Sequence, residues 1–139
     1  WWPPAIGWWL VNLLIILAIG WVIYLAVAAY KSRAPSRAAR ARLIELHFAQ
    51  QNGSISAQEY LHLGNETLKR LLVRAYGRSE FAHMSGNEWL NALDQVSNSQ
   101  AFSTGPGKVL GNERFSPEPH IDVEALNEEL TNLVRKVAP

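Results

Sequence analysis

Asn52-Gly53-Ser54-Ile55-Ser56-Ala57-Gln58-Glu59 reproduces the second half of a calcium-binding EF-hand loop, with its turn glycine and closing glutamate. A hard dication also needs anionic oxygens from the first half, where Phe48 and Gln50 stand, so calcium binding is not expected. Gly105-Pro106-Gly107-Lys108 has the glycine and lysine of a phosphate-cradling loop, but Phe102 replaces the required first glycine and Val109 the required Ser or Thr. Glu59-x-x-His62 has the spacing of one di-iron ligand pair, yet that chemistry needs a second pair and further glutamates, which the sequence lacks. His47, His62, His83 and His120 show no metal-ligand spacing, and the absence of cysteine removes thiolate sites, disulfides and cysteine catalysis. No nucleophile has an adjacent base and no acid pair a defined partner. These residues predict a non-enzymatic chain with no metal and no cofactor.

What organises the sequence instead is Trp8–Tyr30, an apolar run with no charged residue in it and none anywhere before Lys31. At about 1.5 Å rise per residue it is long enough to cross a hydrocarbon core of roughly 30 Å, so a membrane-spanning helix is expected over residues 7–30. Trp1, Trp2, Trp8 and Trp9 mark one end of it, where amphipathic indoles favour the headgroup layer. Tyr30, Lys31, Arg33 and Arg37 mark the other. Residues 1–6, with Pro3-Pro4, form an extended periplasmic entry. The basic flank predicts an inner-membrane, single-pass topology with the N-terminus periplasmic and the C-terminal domain cytoplasmic. Ala26-Val27-Ala28 resembles a signal-peptidase site, but no basic region precedes the run and the run is too long, so it is expected to stay attached. A start at Trp1 rather than Met implies preceding residues. Asn12 and Gly20 are the positions in the span suited to a neighbouring helix, an amide in lipid gaining about 1 kcal/mol from such a contact; Asn12 lying shallow near the outer interface serves equally well.

Beyond the span the pattern is helical throughout, giving an all-α domain of about four helices. Arg33-Ala34-Pro35-Ser36 breaks or kinks the chain, residues 31–42 read as a basic juxtamembrane linker, and residues 43–139 as the domain. Helix resumes over Arg37–Gln51 with Ala41, Ile44, Leu46 and Phe48 available for burial, and Asn52-Gly53 ends it. Ser56-Ala57-Gln58-Glu59 is a capping box opening a helix to about Tyr76, with Leu61, Leu68, Leu71, Leu72 and Ala75 inward and Gly77 as the stop. Ser85-Gly86-Asn87-Glu88 is a second box, before Trp89, Leu90, Leu93 and Val96, with a short turn of helix over Ser79–Met84 between the two. Trp89 and Tyr76 are the expected core pins. Residues 98–119 form a long loop that Phe102, Val109, Leu110 and Phe115 pin to the core. Asp122 caps a final helix with Val123, Leu126, Leu130, Leu133, Val134 and Val137 as its apolar stripe.

Charge limits the partners. The chain has 13 Lys+Arg against 12 Asp+Glu, but five of the cations lie at 31–42, and the remaining eight face all twelve acids, a formal charge of −4 beyond Arg42. A nucleic-acid surface is not expected there. The basic flank suits anionic lipid or an acidic partner besides setting topology. Lys69, Arg70, Arg74 and Arg78 form either a partner-facing patch or a solvated helix face. The acceptor sequons Asn52-Gly53-Ser54 and Asn65-Glu66-Thr67 fall on the side predicted to be cytoplasmic and are expected to be unused.

Trp1-Trp2-Pro3-Pro4-x-x-Gly7-Trp8-Trp9 before a single span, the basic flank, Leu71-x-x-Arg74-Ala75-Tyr76-x-Arg78, and Met84-Ser85-Gly86-x-x-Trp89-Leu90-x-x-Leu93-Asp94 together resemble the bacterial membrane family called domain of unknown function 4381. The resemblance covers nearly the whole chain, and Met84 stands where leucine is usual. It implies companionship with MoxR-type AAA+ ATPases and with membrane proteins bearing von Willebrand factor A domains, in systems proposed to act as chaperones. It carries no catalytic residues over. The expectation is a non-enzymatic membrane adaptor for such an assembly, in contact with the bilayer; the alternative is a membrane-anchored regulatory domain in which the 98–119 loop and its neighbouring helices sense a ligand.

Overall fold

The computed structural model describes residues 6–117 and 119–137, and the chain divides into two compact units between Arg33 and Ala34. The first unit holds α1, Ile6–Ser32, an uninterrupted helix of 27 residues. From Gly7 to Lys31 every position is exposed, including Trp8, Trp9, Leu13, Ile16 and Trp21. A long helix that is apolar and exposed on all its faces has its natural solvent in hydrocarbon. It is long and apolar enough to cross a membrane. Residues 1–5 of the expected entry segment, Trp1 and Trp2 included, lie outside the described residues, and Ile6, expected in that segment, already belongs to α1.

The second unit is all-helical: α2 Ala34–Gln51, α3 Ala57–Tyr76, α4 Gly86–Ser97 and α5 Val123–Val137, with short 3₁₀ segments at Ser79–Ala82, Pro106–Leu110 and Asn112–Phe115. The interruption at Arg33 falls where proline predicts it, but helix resumes sooner than expected. Pro35 occupies the first turn of α2, where its missing N–H is no loss. Residues 34–42 are therefore the first half of a packed helix, not a linker.

Helix α3 is central and packs on α2, α5 and the 3₁₀ segments. Its cap is as the sequence predicts: Ser56 Oγ accepts the Glu59 N–H at 3.1 Å, and Gly77 ends the helix at φ 64°, a left-handed conformation that favours glycine. Tyr60, Leu61, Leu68, Leu71 and Leu72 are buried. Gly64 lets α5 approach, since a Cβ there would sit 3.3 Å from the Leu130 side chain. Helix α5 presents Leu126, Leu130, Leu133, Val134 and Val137 to the core, and Asp122 Oδ1 accepts the Ala125 N–H at 3.1 Å. Each fully buried leucine contributes on the order of 1.5–3 kcal/mol, and most of this core is leucine.

Four further expectations are corrected. In α2 the buried face is Ser36, Ala39, Leu43 and Leu46, while Ala41, Ile44 and Phe48 point outward. Both stripes have helical spacing, and α2 uses the one whose small Ser36 and Ala39 permit close packing. Ala75 and Tyr76 are exposed at the end of α3; Tyr76 only flanks Phe81, ring centroids 6.0 Å apart, and Phe81 is the buried member of that pair. Ser85 makes no side-chain cap, because Gly86 follows it at φ 55° and turns the first helical residue out of capping geometry. Phe115 is 67% exposed under the guanidinium of Arg114, 4.5 Å from its ring centroid, rather than pinned to the core. Trp89, Phe102, Val109 and Leu110 are buried as expected.

The long loop owes its order to α4. Asp94 Oδ1 accepts the Phe102 N–H at 2.9 Å and Oδ2 the Ser103 N–H at 3.1 Å, and Lys136 donates to the Ser97 carbonyl. Phe102 is thereby held over Gly107, where a Cβ would fall 2.4 Å from its ring.

Candidate functional site

The basic residues come from two stretches, and the fold sorts them. Lys31 is exposed on the last turn of α1, Arg33 stands between the helices, and Arg37 and Arg40 are exposed on α2. Arg42 forms an ion pair with Glu45 at 2.8 Å. Arg42 also lines a cavity of about 180 Å³ between α2 and α3, where Arg70 and Arg74 meet it above Ala38, Leu63 and Leu71. Arg70 is held by Glu66 at 2.6 Å across one helical turn. The structure thus brings part of the juxtamembrane run and part of the α3 patch to one groove.

Lys69 and Arg78 go elsewhere. Lys69 turns inward, donating to the Met84 carbonyl at 2.7 Å and the Ala82 carbonyl at 3.3 Å, with its ammonium 5.3 Å from the Trp89 ring centroid. Burial first, and then the positive Arg114, lower its pKa from the ordinary lysine value. It ties α3 to the turn before α4. Arg78 pairs with Glu80 at 2.9 Å and lies over Phe81.

The remaining functional positions lie on α1. Trp8 and Trp9 are 67% and 72% exposed on its first turn, and Tyr30 and Lys31 close its last. Asn12 and Gly20 are eight residues apart, roughly 12 Å along the axis and about 80° around it. They sit on adjoining faces, and nothing lies within 4 Å of a Cβ built at Gly20.

Sequence reasoning missed the outward face of α2. Ala41, Ile44 and Phe48 repeat at helical spacing opposite the buried stripe, with Ile44 61% and Phe48 64% exposed. Large apolar side chains on an otherwise packed domain mark a surface suited to covering. The available signal was the presence of two apolar stripes on one helix, of which a small domain can bury only one. Among the described residues no three of His, Asp and Glu converge as a metal-binding group.

The sequence pattern of the family described as Domain of unknown function (DUF4381) matches residues 1–136. No curated protein and no solved structure matches the chain.

Proposed function

Because the chain belongs to the DUF4381 family, whose resemblance implies its companions, we propose that it is a non-enzymatic single-span subunit of the inner membrane. Its cytoplasmic helical domain acts as an adaptor in an assembly with a MoxR-type ATPase and a membrane protein bearing a von Willebrand factor A domain. The observation that carries this reading is the exposed Ile44 and Phe48 pair on α2. It lies in the helix that follows the span directly in sequence, a placement suited to another membrane-anchored protein, and we assign the von Willebrand A protein as its occupant. The basic flank that includes Lys31, Arg33 and Arg37 supports the cytoplasmic orientation.

The test is co-expression of the full chain with a MoxR ATPase and a von Willebrand A protein from the same bacterium, followed by purification in maltoside detergent. The three are expected to elute together, and Ile44→Asp with Phe48→Asp to release the von Willebrand A protein while leaving the melting temperature unchanged. Recovery of the chain as a lone monomer under several conditions overturns the adaptor reading. Asn12→Leu with Gly20→Leu separates two roles of the span: reduced recovery makes α1 part of the interface, and unchanged recovery makes it a tether.

A further inference from the structure

Ser36 is one of three residues of the domain, with His47 and Arg114, that bury a side-chain polar atom without a hydrogen-bond partner among the described residues. Its residue is 4% exposed, and its hydroxyl has no hydrogen-bond partner among the described residues. A serine inside a helix ordinarily returns its hydroxyl to a carbonyl one turn back, and a buried hydroxyl without a partner is costly. Ser36 lines a small cavity of about 120 Å³ between α2 and α5, whose other walls are Arg37, Arg40, Thr131, Val134 and Arg135. Three arginines and two hydroxyl-bearing residues are thus among those that line it, largely with the apolar parts of their side chains, and no acidic residue is. Arg40 and Arg135 form no ion pair among the described residues. Other basic side chains of the domain, Arg42, Arg70, Arg78 and Lys108, do have a carboxylate within reach.

We propose that this notch binds a phosphate group, with Arg40 and Arg135 neutralising its charge and Ser36 and Thr131 donating hydrogen bonds. Planar guanidinium groups match phosphate oxygens in pairs, and an acceptor oxygen in the notch gives the Ser36 hydroxyl the partner it lacks. The position suits such a ligand. Ser36 follows the end of α1 at Ser32 by four residues, a reach of at most about 14 Å, so with α1 in a bilayer the notch lies close to the headgroup layer. The phosphate then belongs to an anionic lipid headgroup or is free in solution. The proposal does not depend on the adaptor reading.

The experiment uses the full chain in maltoside micelles, which contain no phosphate, and reads amide chemical shifts of Ser36, Thr131 and Arg135 by NMR. One arm titrates inorganic phosphate against chloride at matched ionic strength. The other compares nanodiscs of phosphatidylcholine with and without phosphatidylglycerol. Saturable shifts at these three residues in either arm, absent with chloride, are expected, and the responding arm identifies the source. Arg40→Gln with Arg135→Gln is expected to weaken binding roughly tenfold or more. Ser36→Ala is expected to weaken it roughly fivefold without lowering the melting temperature, since it removes a hydroxyl unpaired in the free domain. Absence of saturable shifts in both arms overturns the proposal, as does unchanged affinity in the double arginine variant. A lower melting temperature in Ser36→Ala also overturns it, because the hydroxyl would then have a structural partner.

Discussion

The indole N–H of Trp89 donates to Asn65 Oδ1 across 2.7 Å, and both side chains are buried. This bond joins α4 to α3 inside the core, where water cannot replace either partner. Removing one side leaves the other unpaired, at a cost of about 1–3 kcal/mol. Trp89→Phe and Asn65→Leu should each lower the melting temperature of the full chain in maltoside micelles by roughly 5–15 °C. The double variant should lose less than the sum of the two. Strict additivity in thermal melts followed by circular dichroism would mean that the bond contributes nothing net.

Asp94 organises the long loop through two main-chain amides. Asp94→Ala frees both, removing charge-assisted bonds that contribute about 1.5–3 kcal/mol each. Hydrogen exchange at Phe102 and Ser103 should accelerate at least tenfold, while amides in the middle of α3 change less. Asp94→Asn should fall between, because an amide side chain presents one oxygen and one NH2 to the two N–H groups. Equal acceleration in α3 and in the loop would show that Asp94 supports the whole domain instead.

Tyr60 is fully buried and donates to Asn127 Oδ1 at 2.9 Å. Burial first, and then the charge of Glu124, raise its pKa far above the ordinary tyrosine value. The folded chain keeps this proton at a pH where the unfolded chain has lost it, so the contribution is complete below pH about 10 and declines as pH rises beyond that. Lys69 acts with the opposite sign, since its lowered pKa means that the unfolded chain binds the proton more readily. Comparing wild type with Tyr60→Phe cancels the lysine contribution. The variant should lose about 1 kcal/mol at neutral pH with the hydrogen bond, and its urea midpoint should fall less steeply above pH about 10. Parallel alkaline profiles would refute the assignment.

Gly107 illustrates a steric requirement that no periodicity reveals. A methyl group there would overlap the Phe102 ring at 2.4 Å, so Gly107→Ala should destabilise by about 1–3 kcal/mol. Gly107→Ala combined with Phe102→Leu should recover part of the loss if the overlap is the cause, as read from urea unfolding of the full chain.

Features set by a single residue's own chemistry were legible in the sequence. The charge-free run of α1, the stops at Gly53 and Gly77, and the caps at Ser56 and Asp122 depend only on neighbours within one turn. Choices between equivalent local solutions were not. Helix α2 carries two apolar stripes, and the selection of Leu43 over Ile44 is made by α3 and α5, which pack against it. The same holds for the basic patch. Arg70 and Arg74 follow one row of α3, but half-buried Lys69 bends away from it because the Ala82 and Met84 carbonyls, 13 and 15 residues later, come within its reach.

The core closes only with α5, whose Leu126, Leu130 and Leu133 complete the packing begun by α2 and α3. Residues 33–122 separate the end of α1 from the start of α5, on the order of 5–20 s of translation. During synthesis α1 therefore leaves the ribosome well before its attached domain can fold. In that interval Leu43, Leu61 and Leu68 lack their final cover, so a nascent chain truncated before Leu126 should be protease-sensitive beyond Arg33, whereas the complete chain should resist cleavage there.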